Sequence, residues 1–456
     1  MAIHSGFKLI FVGAALCSVQ ANATQATQPS DLGSKTPYIV PNPDLKYPQP
    51  PAGYELVYSE LVARHGARTL SKPVSDVLMY EIWKTAEKSK GLTTAGEALG
   101  PQLKALIEAN QKIGYGELTQ LGKEEEQQLG ERFSLRDAAL LAQASEQGRT
   151  ISVFHSGKPR AEESASQFVA GLIQSQPALQ PLVLAAKADP SQLYFPKAPE
   201  NEPYRDYLKH NHQLKNTLHE IVDQPESHKA AMNVLKPLFT AKFIHGLESH
   251  AYHFKVDGKT VEPDELDTAR LMYELYSIAP GMQKEGLWQF SQWMPKASAE
   301  WFAYLDDAEA FYEKGPGFKG KDITFNMAKP LLNDFFVGVS QVMQSEKPEA
   351  ARLRFTHAEV IAPLAALMQI EGSEKQAVPT PLFLYNYKHY AWRSEKVIPY
   401  AANMQWDVFR DHQQHYLVRM LYNEKAIHFK AACKPIAAGS VFYDFETLKH
   451  CYKAEL

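Results

Sequence analysis

Cysteine is scarce: three residues in 456, too few for a disulfide-built scaffold. No cysteine accompanies the histidines, and no His-x3-His pair lies on an assured helix, so no convincing metal-ligand set is present. A GxxxxGK[ST] loop and a Rossmann glycine fingerprint are also missing, which removes the common nucleotide-binding signatures. No internal stretch approaches the roughly 18 apolar residues a membrane helix needs. A basic excess is missing too. The net charge is −4, a poor match to nucleic-acid binding, and any polyanion site must be locally basic against an acidic background.

What remains is the composition of a globular protein, 45% hydrophobic and 22% charged, long enough for two or three domains or one bilobed unit. Lys8 precedes the apolar run Leu9 to Val19, and Ala21-Asn22-Ala23 is a small-x-small cleavage site. Residues 1–23 therefore read as a secretory signal peptide and the mature chain as exported, periplasmic or secreted, without a membrane anchor. Its removal takes away one lysine and no acid, moving the net charge from −4 to −5. It also removes Cys17, leaving Cys433 and Cys451. An even count in an exported chain suggests a disulfide, with two free buried thiols as the alternative.

The chain is organised around Tyr54 to Arg68. An apolar, strand-like run ends abruptly in Arg64-His65-Gly66-Ala67-Arg68, the place where α/β sheets carry their sites. Two guanidiniums can each grip phosphate oxygens through paired N–H groups. The histidine between them can attack phosphorus once the anion is neutralised. A basic surface loop would look the same from this pentapeptide alone. Two further junctions repeat the pattern. Leu353-Arg354-Phe355 delivers His357 with Glu359 two residues on, and Ile151 to Phe154 leads to Arg160 at the start of a helix.

These motifs resemble the histidine phosphatase superfamily in its acid phosphatase and phytase branch. The matching pieces are RHGAR at 64–68, GELTQLG at 116–122, Arg160 with Ser164-Ala165 and Phe168, and the second histidine at 357. Most of that branch carries His-Asp where this chain has His357-Ala358-Glu359, which is similar to the multiple inositol polyphosphate phosphatase subgroup. Leu32 to Tyr38 and Leu421 to Glu424 resemble that subgroup as well. The resemblance implies a mainly parallel sheet with helices on both faces, plus an inserted helical domain. It implies that His65 is the nucleophile and Glu359 the general acid and base, although a carboxylate there would also suit a helix N-terminus. Arg64, Arg68, Arg160 and His357 would hold the phosphoryl group, with no cofactor and no metal. The implied substrates are phytate and lower inositol phosphates. A broad-specificity acid phosphatase and a non-catalytic phosphate-binding protein stay open. Lys35 and Lys72 lie near the motifs and are candidates for the non-reacting phosphates, or plain surface lysines.

The organisation follows from composition. Residues 24–53 read as an extended, unpacked lead-in. A discontinuous α/β core is expected over 24–175 and 340–456, with a helical insert over 176–339 and the cleft between them. Thr119 is a plausible helix N-cap. Glu124-Glu125-Glu126 reads as a solvated face. Strands are expected at 353–355, 382–385 and 416–422.

Overall fold

The computed structural model describes residues 31–42, 45–380 and 383–456. The signal-peptide segment and Cys17 lie outside the described residues, as does Leu382. Ten strands are described: β1 Glu55–Arg64, β2 Ile151–His155, β3 Lys187–Ala188, β4 Phe254–Val256, β5 Lys259–Val261, β6 Ala351–Thr356, β7 Asn403–Arg410, β8 Tyr416–Tyr422, β9 Lys425–Ile427 and β10 Phe442–Asp444. Among the described residues the main sheet runs β10-β8-β7-β1-β6-β2-β3, with β9 on β8. β1, β6, β2 and β3 are mutually parallel. β7, β8, β9 and β10 extend the sheet antiparallel.

β1 sits at the junction of the two halves, which is why its sequence is an almost unbroken apolar run. From Val57 to Arg64 every residue is buried. Leu61 and Ala63 face one way, against Leu129 and Phe133 of the Gln120–Arg136 helix and Phe168 and Leu172 of the Pro159–Ser175 helix. Tyr58 and Val62 belong to the opposite cluster, with Phe335 and Val339 of the Lys329–Gln344 helix and Ile361 and Leu364 of the Ala358–Leu367 helix. Helices therefore cover both faces, as expected for an α/β sheet.

The insert is mainly helical, with long elements at Glu265–Ile278 and Lys296–Lys314, plus the small β4-β5 hairpin. The expected boundary at 339–340 falls inside the Lys329–Gln344 helix. Phe335 and Phe336 of that helix pack edge-on against Trp406 of β7, with ring centres 5.1 and 5.0 Å apart, so the helix sits on the sheet. β3 likewise carries the sheet past residue 175.

The strand expected at 382–385 is not formed. Phe383 to Tyr385 are irregular. The Tyr385 N–H donates to Tyr312 Oη at 2.9 Å, and its own hydroxyl donates to the Trp392 carbonyl at 2.8 Å. Tyr385 is buried and tied to the insert through Tyr312, while Phe383 is exposed. The missing sheet position belongs to β7, whose Gln405 and Asp407 are buried. Gln405 Nε2 donates to Asp407 Oδ1 at 2.6 Å, and Ser59 Oγ donates to the same oxygen at 3.0 Å. β7 keeps an apolar alternation, Met404, Trp406 and Val408, all buried, but its other face is polar, so no continuous apolar run marks it.

Cys433 and Cys451 are disulfide-bonded, with Cα atoms 5.6 Å apart. The bond ties the segment after β9 to the C-terminal helix Phe445–Cys451. The bridged cysteines are 18 residues apart, and closing a loop of that size contributes about 3 kcal/mol in the chain-entropy model. Replacing both cysteines by serine should lower the denaturation midpoint accordingly, read by urea titration, with an m-value no smaller than that of the wild type because the unfolded chain is freer to expand. Non-reducing peptide mapping of the wild-type chain should find the two peptides joined.

Candidate active site

Register builds the site. In the β1-β6 ladder Arg64 stands opposite Thr356, so the residues that follow, His65 and His357, leave the sheet side by side. The His65 N–H donates to the Thr356 carbonyl at 2.9 Å, and the two imidazole centres are 5.3 Å apart. β2 ends at the same level: the Ser156 N–H donates to the Phe355 carbonyl at 3.1 Å, which puts Ser156 Oγ 2.7 Å from His357 Nε2. Three parallel strands thus deliver His65, Ser156 and His357 to one spot at their carboxyl ends.

Hydrogen bonds fix the state of each imidazole. His65 Nδ1 lies 2.8 Å from the Gly66 carbonyl. A carbonyl only accepts, so Nδ1 carries the proton and Nε2 keeps a free lone pair. Burial first, then Arg64 and His357, hold His65 well below its ordinary range, so the ring stays neutral. Ser156 Oγ accepts from the Lys158 N–H at 3.4 Å and has one proton to give to His357 Nε2. That leaves His357 Nδ1 as an N–H. Burial, and next to it Arg160, bring His357 down to about 3.

The cations are placed with donors to spare. Arg64 Nη1 donates to the Ser34 carbonyl at 2.6 Å and also to the Ile398 carbonyl. Its guanidinium lies 4.7 Å from the Tyr400 ring centre. Burial brings Arg64 down to about 10, still a cation. Arg68 Nη1 donates to the Thr69 carbonyl at 2.7 Å. Arg64 Nε, Arg68 Nε, Arg160 Nε and His357 Nδ1 are all buried, and no hydrogen-bond partner for them occurs among the described residues. Buried donors are normally paired. Four unpaired ones gathered near the two imidazoles have the donor chemistry of a cradle for the oxygens of a tetrahedral anion.

Glu359 follows His357 at the start of the Ala358–Leu367 helix, accessible from the site. Burial of the carboxyl acts to raise it, but Lys314, His357, its own N–H and Arg64 outweigh that and hold it near 2. The insert walls the site. The Tyr194 ring is 4.9 Å from the His357 ring, with Lys158 Nζ 5.1 Å from the Tyr194 centre.

Of the sequence candidates, Arg64, His65, Arg68, Arg160, His357 and Glu359 are brought together. Lys35 is drawn toward Glu274, 4.0 Å away, in a pocket that also holds Asp267 and Asp306. Lys72 is exposed, and among the described residues its side chain has no partner. His210 pairs with Asp206 at 2.6 Å on an exposed helix, and among the described residues no group of three His, Cys, Asp or Glu is placed to hold a metal ion.

Residues 55–423 match the family described as Histidine phosphatase superfamily (branch 2). The chain belongs to that superfamily. It is similar to Bifidobacterium longum multiple inositol polyphosphate phosphatase in crystals with inositol hexasulfate, at 31% identity and a TM-score of 0.87 over 92% of this chain and 97% of that one. With the phosphate complex of the same protein the values are 30% and 0.89, over 93% and 98%. Gallus gallus multiple inositol polyphosphate phosphatase 1 is 31% identical over 167 residues, which is 34% of this chain and 36% of that relative, so the match spans about a third of its length. The phytase from D. castellii, at 15% identity and a TM-score of 0.66 over 97% and 90%, shares the fold.

Within that superfamily fold, two expectations need correction. The acidic run is not a solvated face. Glu125 and Glu126 are buried. Glu125 Oε1 accepts from the Tyr38 N–H at 2.7 Å and Oε2 from the Ala67 N–H at 2.6 Å, so one carboxylate clamps the catalytic loop to the lead-in. The helical period carries the signal: Gly122, Glu125, Glu126, Leu129 and Phe133 share one stripe. The lead-in is not unpacked either. Asp31, Leu32, Gly33 and Thr36 are buried, and Ser34 holds Arg64. GELTQLG is legible as geometry. A Cβ on Gly66 would collide with the Gly122 carbonyl and one on Gly122 with the Ala67 carbonyl, so loop and helix touch backbone to backbone. Thr119 caps the helix by accepting from the Gly122 N–H at 3.2 Å. Lys314 lay too far away in the chain to be connected with Glu359.

Glu125→Gln tests the clamp. An amide accepts through one oxygen only, so one backbone N–H is left facing a donor, and the variant should be about 1–3 kcal/mol less stable. Burial holds the native Glu125 up at about 7 against 4.5 when exposed. The folded state therefore binds the extra proton, and stability falls as pH rises through that window. In Glu125→Gln the fall, measured by denaturant titration at several pH values, should be smaller.

Proposed function

We propose that this chain is a phosphomonoesterase acting on inositol phosphates, phytate included, through a phosphohistidine on His65. The observation that carries the reading is the set of four unpaired buried donors around an imidazole whose Nε2 is free. The similarity to an inositol polyphosphate phosphatase over nearly the whole chain supports the substrate class.

In the first step His65 Nε2 attacks phosphorus. An N–P bond forms and the P–O bond to the inositol carbon breaks. Arg64, Arg68, Arg160 and His357 Nδ1–H take up the charge on the non-bridging oxygens, the largest contribution expected in such a site. The departing alkoxide is too basic to leave alone and takes a proton from Glu359. In the empty site Glu359 is ionised. A bound phosphate cancels the cations that hold it down, so substrate itself raises Glu359 toward the protonated state. In the second step the Glu359 carboxylate accepts a proton from water, the oxygen attacks phosphorus and the N–P bond breaks. We assign export to the mature chain on the strength of the N-terminal signal sequence, and the disulfide is compatible with it.

His65→Ala should fold and lose essentially all turnover. Rapid quench of the wild type should trap a base-stable, acid-labile phosphoenzyme, and substantial activity in the alanine variant would refute the nucleophile. Comparing turnover of phytate with that of a simple sugar phosphate decides the substrate class. Glu359→Gln should cost roughly 10²–10⁴-fold on phytate. With p-nitrophenyl phosphate, whose leaving group needs little protonation, single-turnover phosphorylation should suffer far less. Equal losses would remove Glu359 as the proton donor.

A further inference from the structure

On the insert, away from the phosphate cradle, lies a second cavity of about 590 Å³. Its walls include Trp301 and Tyr304 of the Lys296–Lys314 helix, Tyr387 from the loop after residue 385, and Glu300, Arg393 and Glu395. None of these residues takes part in the proposed reaction.

The rings form a fixed corner. Trp301 and Tyr304 have centres 5.1 Å apart, and Tyr304 meets Tyr387 edge-on at 5.4 Å and 82°. Every polar handle on them points inward. Trp301 Nε1 donates to Ser227 Oγ at 2.9 Å, Tyr304 Oη to the Tyr385 carbonyl at 3.0 Å, and Tyr387 Oη to Asp307 Oδ2 at 2.8 Å. The rings are thus locked by internal bonds and offer the cavity their carbon surfaces. Tyr387 remains 39% exposed.

The polar groups decide the ligand. Glu395 is half-buried, and among the described residues its carboxylate has no hydrogen-bond or ion-pair partner. Glu300 meets only Lys296, 3.6 Å away on the helix surface. Arg393 sits 3.5 Å over the Tyr387 ring and is anchored by bonds to the carbonyls of Tyr387, Tyr390 and Trp392 at 3.1, 2.9 and 2.6 Å. An anion would face two carboxylates. An organic cation on these rings would sit beside the guanidinium of Arg393, a like charge held 3.5 Å from the Tyr387 ring. A purely apolar molecule would leave Glu395 desolvated without a donor. A pyranose ring satisfies all three conditions: its C–H face lies on an aromatic ring, and its hydroxyls donate to carboxylates and accept from a guanidinium.

We propose that this cavity is a binding site for a neutral oligosaccharide, separate from the catalytic centre. Burial, then neighbouring Asp307, push Glu395 up to about 7, which also suits a neutral hydroxyl partner better than a cation.

The test is saturation-transfer NMR on the full purified chain with cellotriose, maltotriose and the trimer of N-acetylglucosamine, and with choline as the cationic control. At least one trisaccharide should receive saturation on the C–H protons of one ring face, with a dissociation constant on the order of 1 mM. Trp301→Ala and Tyr387→Ala should each weaken binding about tenfold, while phosphatase turnover, measured where both variants are folded, stays at the wild-type value. If Trp301→Ala does not fold, Trp301→Phe and Glu395→Gln replace it, and each should still weaken binding. Absence of transfer to all three sugars overturns the proposal. So does transfer that survives the ring substitutions, or a choline signal lost in those variants while the sugars stay silent.

Discussion

The parallel pairing of β1 with β6 is the constraint on which the rest depends. Arg64 and Thr356 are partners in that ladder, and a slip by one residue would turn every following side chain to the other face of the sheet. Held in register, the two strands hand over His65 and His357 at contact distance, and β2 adds Ser156 at the same level. The buried apolar residues on both sides of β1 fix the register, so core packing and active-site geometry are specified by the same side chains. The chemistry needs no adjustable loop to bring its two imidazoles together.

Gathering cations in a buried place has an electrostatic cost, and the arrangement answers it locally. Arg64 and Arg68 spend part of their hydrogen-bonding capacity on carbonyls, Arg64 also on a ring face, and each of the three arginines keeps one buried N–H unused. Carbonyl oxygens satisfy arginine geometry without neutralising it, so the positive charge stays available for a ligand. Carboxylates are kept one step removed: Glu125 and Glu126 lie behind the loop, where they bind or face backbone N–H groups, and Glu274 engages Lys35 at the edge. The site is electropositive inside a chain whose net charge is negative. Such a contrast draws a polyanion to one place and leaves the remaining surface unattractive to it.

The legible part of the molecule was the part that follows from local rules. Arg64 to Arg68, Arg160 and His357 to Glu359 could be found because a strand that ends in charged residues breaks the apolar pattern at a visible point. The helices at Glu265–Ile278 and Lys329–Gln344 showed in their periodicity. The paired cysteines were indicated by their number. What stayed hidden depended on partners far away in the chain. β7 signals its strand by alternation, with Met404, Trp406 and Val408 set between Asn403, Gln405 and Asp407, rather than by a continuous apolar run. The 382–385 run looked like a strand because apolar composition does not distinguish a sheet from a loop packed on aromatic rings. Glu125 and Glu126 read as solvated from their charge, while the helical stripe they share with Gly122, Leu129 and Phe133 buries them.

The place of β1 in the sheet has a consequence for time. β1 is made early in synthesis, yet its two neighbours, β6 and β7, lie near the other end of the chain. Arg64 also waits for Ile398, and its backbone N–H for Ala402. Long-range parallel pairing of this kind is slow to form. A growing chain that stops before Ala351 has helices and hydrophobic surface but lacks β6, and with it His357 and the strand that places His65. The two imidazoles come together late, when β6 and β7 close around β1.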